Sequence, residues 1–420
     1  MIARLLAVLS LLAAGAASAE TVAVTNARIV TMGPAGTISN GMVVMRDGRI
    51  ISVGPAASVP AGARILDAGG RTVTPGLVAS GTGLGLIEVR SVGAANDRAQ
   101  RMSRISAAFD AGYGLNPDSV LVPVARLGGI TRAVNVPLYD NAPNRDLQFA
   151  GQAAAVALGG EMLMRRGVAM VLELGEGGAE RAGGARGSAL VTLRAVLADV
   201  RDFARRRAAY DRGETRDYAL SRADLEALVP VVEGRMPLLV TVNRASDIRA
   251  LLALGRELGL RLILEGAAEG WRVAAEIARA RVPVVLNPVE NLPDSFESLG
   301  ATLQNARRLH EAGVLIAFQG NGNHRERELR YNAGNAVATG LPWEAGLAAV
   351  TINPARIFGL AAAIGSIEPG KEADLVIWDG DPLDTLGRPT AIFIRGQAQP
   401  MRSRQTELRD RYLGARGETP

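Results

Sequence analysis

The chain has 420 residues, of which 48% are hydrophobic and 21% charged, a balance that is typical of a globular protein and excludes a disordered chain. It has no Cys and two His, which excludes a disulfide framework, thiolate metal sites and a thiol nucleophile, and leaves a histidine-based metal site short of ligands. The net charge is +5 and the arginines are scattered, which argues against a nucleic-acid partner.

Residues 1–19 have the parts of a secretory signal peptide. Arg4 provides the basic start, residues 5–17 form a short apolar run, and Ala17-Ser18-Ala19 matches an A-x-A cleavage site. We expect cleavage after Ala19 and export to a bacterial periplasm. No other stretch is long and apolar enough to cross a bilayer, so we expect no membrane span after the signal is removed.

Both ends of the mature chain have β-rich patterns. Residues 20–74 contain three such runs, and Asp47-Gly48 divides the second of them as a hairpin turn would. Two further runs lie at residues 373–378 and 391–395. The pattern predicts a small β-sandwich formed by both chain ends, residues 20–74 and 356–400, followed by a polar C-terminal tail over 401–420.

The middle of the chain, residues 75–355, alternates short apolar strands with helical periods. This alternation is typical of a parallel sheet with crossover helices, and eight strands favour an α/β fold of the (β/α)8 TIM-barrel type. The predicted strands are 76–80, 130–136, 153–158, 168–174, 238–243, 261–265, 282–287 and 314–319. The predicted helices are 188–212, 247–258, 271–279 and 299–312. The Gly-rich residues 175–187 lack the G-K-[ST] of a phosphate loop and are predicted to form a lid or linker.

Three segments carry a family resemblance: ILDAGGRTVTPGLVASGTGLG at 65–85, TINPARIFGL at 351–360 and GSIEPGKEADLVIW at 365–378. The chain resembles the amidohydrolase superfamily from about residue 21 to residue 396, and is most similar to its imidazolonepropionase-like and dihydroorotase-like branches. The segments at 116–129 and 220–228 resemble exported members. The resemblance implies a barrel that hydrolyses non-peptide C–N bonds with one or two divalent metals at its C-terminal end.

The resemblance also implies where the metal ligands should lie in this chain. The expected H-x-H pair, the two further histidines and the aspartate fall on Gly81, Gly83, Asn243, Gly266 and Gly320. Glycine has no donor atom, and an amide oxygen is a poor zinc ligand. Lys371 is the single lysine and lies in the segment after the barrel, so no carboxylated lysine can act as a ligand within the barrel. We therefore expect no metal and no other cofactor.

A few polar residues at the predicted strand ends are candidates for a different site. Glu173, Glu265 and His324 could form a mononuclear metal set or an acid/base pair. In the alternative interpretation the two carboxylates pair with arginines and His324 is an exposed loop residue. The candidate ligand pocket, for a small polar molecule, consists of Asn243, Gln319 and Asn321. His310 is predicted to be a solvated helix residue.

Three functions remain open from the sequence. The first is a metal-free, catalytically degenerate barrel that binds a small molecule or a partner. The second is an active hydrolase of cyclic amides or related C–N bonds that uses Glu173, Glu265 and His324. The third is a silent structural subunit of an active paralogue, in a homo- or hetero-oligomer.

Overall fold

The computed structural model describes residues 20–55, 58–89, 91–100, 105–139, 149–320 and 322–415. The expected signal peptide lies outside these ranges. Within them, no helix combines the length and the apolar character needed to cross a bilayer.

Strands dominate the two ends of the chain, and strands and helices alternate between them. The strands are β1 (Val22–Val30), β2 (Thr37–Arg46), β3 (Arg49–Pro55), β4 (Arg64–Asp67), β5 (Thr72–Pro75), β6 (Leu77–Thr82), β7 (Ala99–Gln100), β8 (Ile130–Asn135), β9 (Leu138–Tyr139), β10 (Phe149–Ala157), β11 (Leu163–Glu173), β12 (Leu238–Val242), β13 (Leu262–Gly266), β14 (Val284–Leu286), β15 (Ile316–Phe318), β16 (Leu375–Trp378), β17 (Pro389–Ile394) and β18 (Gln397–Ala398). The α-helices are α1 (Leu121–Arg126), α2 (Glu176–Arg181), α3 (Arg186–Arg205), α4 (Arg207–Asp211), α5 (Arg222–Val232), α6 (Ala245–Leu258), α7 (Ala274–Ala280), α8 (Asn305–Glu311), α9 (Leu329–Ala338), α10 (Trp343–Ala348), α11 (Ile352–Ile357) and α12 (Arg404–Ala415). Short 3-10 helices cover Gly93–Ala95, Ala111–Tyr113, Gly270–Val273 and Asn323–Glu328.

One mixed sheet unites the two ends of the chain. Its strand order is β18-β17-β16-β5-β1-β2-β3, with β4 paired to β1. The predicted hairpin turn joins β2 to β3, and both Asp47 and Gly48 have the positive φ, 53° and 75°, that a tight hairpin turn requires. The finer expectation, that this sheet forms a sandwich, stays a prediction.

The middle of the chain forms a nearly closed eight-stranded barrel. The strand order is β15-β14-β13-β12-β11-β10-β8-β6, and each of the eight predicted strands has a counterpart in it. Among the described residues, one parallel bridge, between Ser80 and Gln319, joins the two outer strands β6 and β15. We call this line of closure the seam.

The expectation that all barrel strands are parallel is wrong for β10. It runs antiparallel to both β8 and β11. Five residues, 158–162, separate β10 from β11, and a crossover to a parallel neighbour needs a dozen or more. Gly160, with φ of 68°, lies in this short connection, so the two strands form a hairpin.

Two stretches predicted without regular structure contain helices. Most of the Gly-rich segment 175–187 is helical, because it holds α2 and the first residues of α3. An ion pair between Arg181 in α2 and Glu173 at the end of β11 fastens this turn to the barrel. The tail after residue 400 contains α12, which has no counterpart among the predicted elements. The predicted helix at 299–312 is shorter than expected, since α8 begins at Asn305.

Apolar side chains fill one end of the barrel interior. Strand residues such as Leu239 and Ile263 face inward and pack against residues from 355–364, which fill the end where the parallel strands begin. Arg132 of β8 is also buried at this end, where its guanidinium pairs with Asp374 next to β16. The opposite end, where the parallel strands finish, is therefore left for a site.

Candidate functional site

Strand alternation turns Glu265 into the barrel. Ile263 belongs to the interior cluster and Leu264 to the cluster under the helices, so Glu265 must point inward like Ile263. Its carboxylate accepts hydrogen bonds from the side chains of Thr241, at 2.7 Å, and Gln319, at 2.6 Å. Three polar side chains from β12, β13 and the end of β15 therefore meet at the end of the barrel where the parallel strands finish, which we call the mouth.

Glu265 is 9% exposed, and this burial raises the pKa of its carboxyl group. The hydrogen bonds from Thr241 and Gln319 and the positive charge of Arg98 oppose the increase, whereas the charge of Glu173 adds to it. Glu265 thus lies in a polar but poorly hydrated environment, where a nearby charge has a large effect on the pKa of a carboxyl group.

Arg98 brings a buried cation to the same mouth. The residue is 7% exposed, and its Nε and Nη2 each donate to a backbone carbonyl, those of Val136 and Gly81, at 2.6 Å. Sequence reasoning missed Arg98, because one arginine in a long irregular segment after β6 carries no signal of its own. Folding of that segment over the barrel end is what brings the guanidinium inside.

Glu326 is the second residue of the candidate site that sequence reasoning missed. It is 1% exposed, and neither carboxylate oxygen makes a hydrogen bond of regular geometry to the residues that the structure describes. Burial raises the pKa of Glu326 to about 8, although the charge of Arg98 and the nearby backbone N–H of Gly322 act to lower it. At neutral pH this carboxyl group is therefore mostly protonated.

Polar side chains occupy the space beside all four glycines at the expected ligand positions. A Cβ atom would lie close to Gln319 at Gly81, to Arg98 at Gly83, to Asn243 at Gly266 and to Glu326 at Gly320, with nearest distances of 3.2, 2.8, 2.5 and 1.7 Å. Gly81 and Gly266 also have positive φ, 74° and 81°, where an L side chain is strained. A ligand side chain at any of these positions would therefore have to displace a neighbouring polar side chain.

The other predicted site residues lie in different surroundings. Glu173 pairs with Arg181, whose guanidinium lies 3.6 Å from the ring centroid of Tyr139. His324 belongs to the 3-10 helix Asn323–Glu328 and not to a loop, and its side chain lies outside the described part, as does Asn321. Asn243 accepts a hydrogen bond from the backbone N–H of Ala268 at 3.3 Å.

The described residues at this end of the barrel do not form a metal-binding cluster of the kind that the resemblance implies. Within the described ranges, no three His, Cys, Asp or Glu side chains lie close enough together to hold an ion. The guanidinium of Arg98 lies beside Gly83 and Gly81, and its positive charge would repel a divalent cation there.

The close packing of Glu326 on Gly320 predicts a coupling that can be measured. Gly320→Ala should lower the free energy of unfolding by about 1–3 kcal/mol, because the added methyl group overlaps the carboxyl group. In a Glu326→Ala background the same change should cost less than about 1 kcal/mol. Urea unfolding of the two single variants and the double variant gives the coupling.

Gly187→Ala is the matched control for this cycle, since a Cβ at Gly187 meets nothing within 4 Å. It lies in α3, where alanine favours the helix, so this variant should be neutral or slightly stabilised. Equal costs of Gly320→Ala with and without Glu326 would show that the two residues are not in contact.

Comparison with known proteins agrees with the barrel and its appended sheet. The model of the amidohydrolase family matches residues 204–402. Amidohydrolase tasK of Hapsidospora irregularis is 24% identical over 371 residues, which are 81% of this chain and 37% of that protein. Imidazolonepropionase of Shouchella clausii is 38% identical over 115 residues, 26% of this chain and 25% of that protein. The chain thus spans less than two fifths of the length of these curated relatives.

A solved structure extends the similarity to nearly the whole chain. The crystal structure of an amidohydrolase from Thermotoga maritima superposes with a TM-score of 0.80 at 25% identity, covering 91% of this chain and 100% of that one. Together with the family model, this similarity covers both the barrel and the sheet formed by the chain ends. The chain belongs to the amidohydrolase superfamily.

Proposed function

We propose that this chain is a metal-independent member of the superfamily that binds a small polar molecule at the end of its barrel. The occupied space beside Gly81, Gly83, Gly266 and Gly320 is the observation that carries the proposal. At Gly81 and Gly266 the positive φ also disfavours a ligand side chain, because an L residue is strained in that conformation.

Several features support binding at this end. Thr241, Asn243 and Gln319 are half-buried and polar, and the mouth gathers carboxylates and a guanidinium in one place. Polar cavities bind water or ligand because their hydrogen-bonding groups need partners.

Metal content tests the proposal directly. We expect the purified protein to contain far less than one zinc per chain, and added zinc to leave the melting temperature unchanged, because a ligand stabilises only through its affinity for the folded state. Elemental analysis and thermal unfolding with zinc or a chelator measure both quantities. Close to one tightly held metal per chain would contradict the proposal.

Glycine replacement provides a second test. Gly81→His combined with Gly83→His should bring no zinc binding and should reduce stability. The first substitution places a side chain on a backbone of unfavourable φ, and the second places one where it overlaps Arg98. Gly69→Ala, at a positive φ of 61° on an open surface, is a control for the backbone strain alone.

A hydrolase without a metal is the second candidate function, and Glu326 favours it. The raised pKa of this group, about 8, keeps a proton available at neutral pH, as a general acid requires. Glu326 would donate this proton to the leaving nitrogen of a C–N bond while Glu265 accepts one from the attacking water. Hydrolysis of a cyclic amide by chelator-treated protein, lost in Glu326→Gln, would establish this function in place of binding alone.

A further inference from the structure

A cavity of about 350 Å³ lies where the barrel meets the sheet formed by the chain ends. Its wall comes from α1 and the residues before it, from the turn between β10 and β11, and from Gln399 after β18. The backbone N–H of Gln399 donates to Ile392 in β17, and that of Leu158 in the turn donates to Thr131 near the start of β8. The cavity is therefore away from the mouth, and its size is within the range of small-molecule sites.

Arg126, the last residue of α1, brings its guanidinium group to the wall of this cavity. Its Nη1 donates to the backbone carbonyl of Leu158 at 2.9 Å and to the side chain of Gln399 at 3.2 Å, and both of these residues also line the cavity. Its Nε is enclosed and makes no hydrogen bond within the described residues. The remaining nitrogen, Nη2, has no acceptor in the described part of the chain and is not enclosed, so it is the part of the group that a ligand can reach.

Within the described ranges, no carboxylate forms an ion pair with Arg126. Burial lowers the pKa of its guanidinium group, and no acidic neighbour among the described residues opposes that decrease. Asp118 also lines the cavity, but it is exposed and does not pair with Arg126. Charged groups that lose part of their hydration are normally paired, so this guanidinium group leaves one positive charge without a counter-charge.

Three other arginines with buried guanidinium groups are compensated within the protein. Arg132 pairs with Asp374, and the negative charge of Asp384 acts on Arg330. Arg165 donates to backbone carbonyls through both of its terminal nitrogens. Arg126 differs from all three, because it keeps both an unbalanced charge and a nitrogen without an acceptor at the wall of a cavity.

The rest of the wall offers backbone donors and apolar surface. The backbone N–H groups of Gly159 and Gly160 have no acceptor among the described residues, and both glycines line the cavity. The side chains of Val122, Leu158 and Met162 provide apolar lining. N–H groups suit a carboxylate, and apolar side chains suit a hydrocarbon group attached to it.

We propose that this cavity binds a small monocarboxylate with a short hydrocarbon or aromatic group, whose carboxylate accepts a hydrogen bond from Nη2 of Arg126. A carboxylate suits the cavity better than a phosphate, because one guanidinium group balances one negative charge and a phosphate group carries more than one. Since Nη1 is already bonded, the guanidinium group cannot grip two phosphate oxygens with both terminal nitrogens. A cation would be repelled by the charge of Arg126.

Calorimetric titration of the whole protein near pH 7 tests the inference with defined probes. The carboxylates are butyrate and benzoate, and their controls are butyramide, benzamide, n-butylammonium and inorganic phosphate. We expect saturable 1:1 binding of both carboxylates with dissociation constants of about 1–10 mM, the weak end of ligand affinity, and no binding of the controls. Added salt should weaken the binding of the carboxylates, because it screens their attraction to Arg126.

Variants assign the binding to this cavity. Arg126→Gln should weaken butyrate binding at least about tenfold, in line with the loss of a charged hydrogen bond. Asp118→Asn removes a negative charge from the wall and should tighten the binding about two- to fivefold, a gain that damage to the fold would not produce. Arg279→Gln, at an exposed arginine on α7, should leave it unchanged.

Several outcomes would overturn the inference. They are binding of the amides as tight as that of the carboxylates, binding of phosphate in their place, undiminished binding in Arg126→Gln, and no binding of either carboxylate up to about 20 mM. Arg126→Gln also loses the bonds of Nη1, so thermal unfolding must show that it is folded. If it is not, Asp118→Asn decides, and butyrate binding that is unchanged or weaker in this variant contradicts the inference.

This inference goes beyond the proposed function and does not depend on it. The cavity beside α1 shares no residue with the mouth, so failure of the carboxylate experiment would leave metal independence as it stands. A stoichiometric metal in the purified protein would overturn the proposed function, whatever the carboxylates do.

Discussion

Replacing Arg132 by methionine should lower the free energy of unfolding by about 3–5 kcal/mol, the usual cost of removing one partner of a buried ion pair. The Arg132 side chain is 1% exposed, and its guanidinium contacts the Asp374 carboxylate through Nε at 2.5 Å and Nη2 at 2.8 Å. Asp374 is 5% exposed, so the variant would leave a buried carboxylate without its cation.

The same contact joins the two parts of the fold. Arg132 lies on β8 of the barrel, and it also pairs with Glu372, at 2.5 Å, in the segment that leads into β16. Urea unfolding should therefore show Arg132→Met to be among the most destabilising of the single substitutions outside the apolar core. Its unfolding transition would also broaden if the sheet and the barrel then separate in two steps.

Two further variants make the measurement decisive. Arg64→Met removes an exposed pair with Glu20, in which the side chains are 49% and 64% exposed, and should cost less than about 1 kcal/mol. Arg132→Met combined with Asp374→Asn should recover part of the loss, because no unpaired charge remains. A cost for Arg132→Met no larger than that for Arg64→Met would show that the ion pair does not hold the barrel to the sheet.

The stability of the protein should fall by several kcal/mol between about pH 5 and pH 8 because of Glu326 alone. The pKa of this carboxyl group is raised from 4.5 in the unfolded chain to about 8 in the folded protein. Between these values the folded state holds a proton that the unfolded state has released, so unfolding becomes easier as the pH rises. The contribution is fully present below the unfolded pKa and is lost as the pH approaches 8.

Glu326→Gln isolates this contribution, because glutamine has nearly the same shape and does not titrate. Each pH unit in this range is worth about 1.4 kcal/mol, so the stability of the variant relative to the wild type should rise by about 4 kcal/mol from pH 5 to pH 8. Urea unfolding at several pH values measures the difference. Glu344→Gln, which is exposed, should show no such trend.

A parallel pH profile for Glu326→Gln and the wild type would mean that Glu326 is hydrated or paired in solution. In that case Glu326 would not be, in solution, the buried carboxyl group without hydrogen bonds that the structure describes. The measurement thus tests the geometry independently of any ligand.

The sequence alone was sufficient for the strands of the barrel and for the turn at Asp47-Gly48. Both predictions rest on local properties: short apolar runs mark the strands, and a residue pair suited to positive φ marks the turn. Such properties predict structure well because burial and backbone sterics act on each segment separately. The resemblance of residues 351–378 to the superfamily was equally local, and it led to the correct family.

Strand direction was decided by tertiary structure. A period of two fixes which residues of β10 face the barrel interior and which face the helices, but the period is the same for a parallel and an antiparallel strand. The short connection between β10 and β11 makes the antiparallel arrangement necessary. The predicted strands 153–158 and 168–174 were already too close in sequence for a crossover, so connection length was a signal that the alternation of strands and helices concealed.

Some residues of the candidate site could be predicted from the sequence, and others only from the tertiary structure. Glu265 could be found because it ends a recognisable strand, and the glycines could be found because a family pattern marks their positions. Arg98 and Glu326 could not, since each lies among other charged residues far from any motif and reaches the mouth only when the barrel closes. Nothing in the sequence links Gly320 to Glu326. In the structure the two residues pack closely at the seam, and the Glu326 carboxyl group fills the space that a side chain at position 320 would occupy.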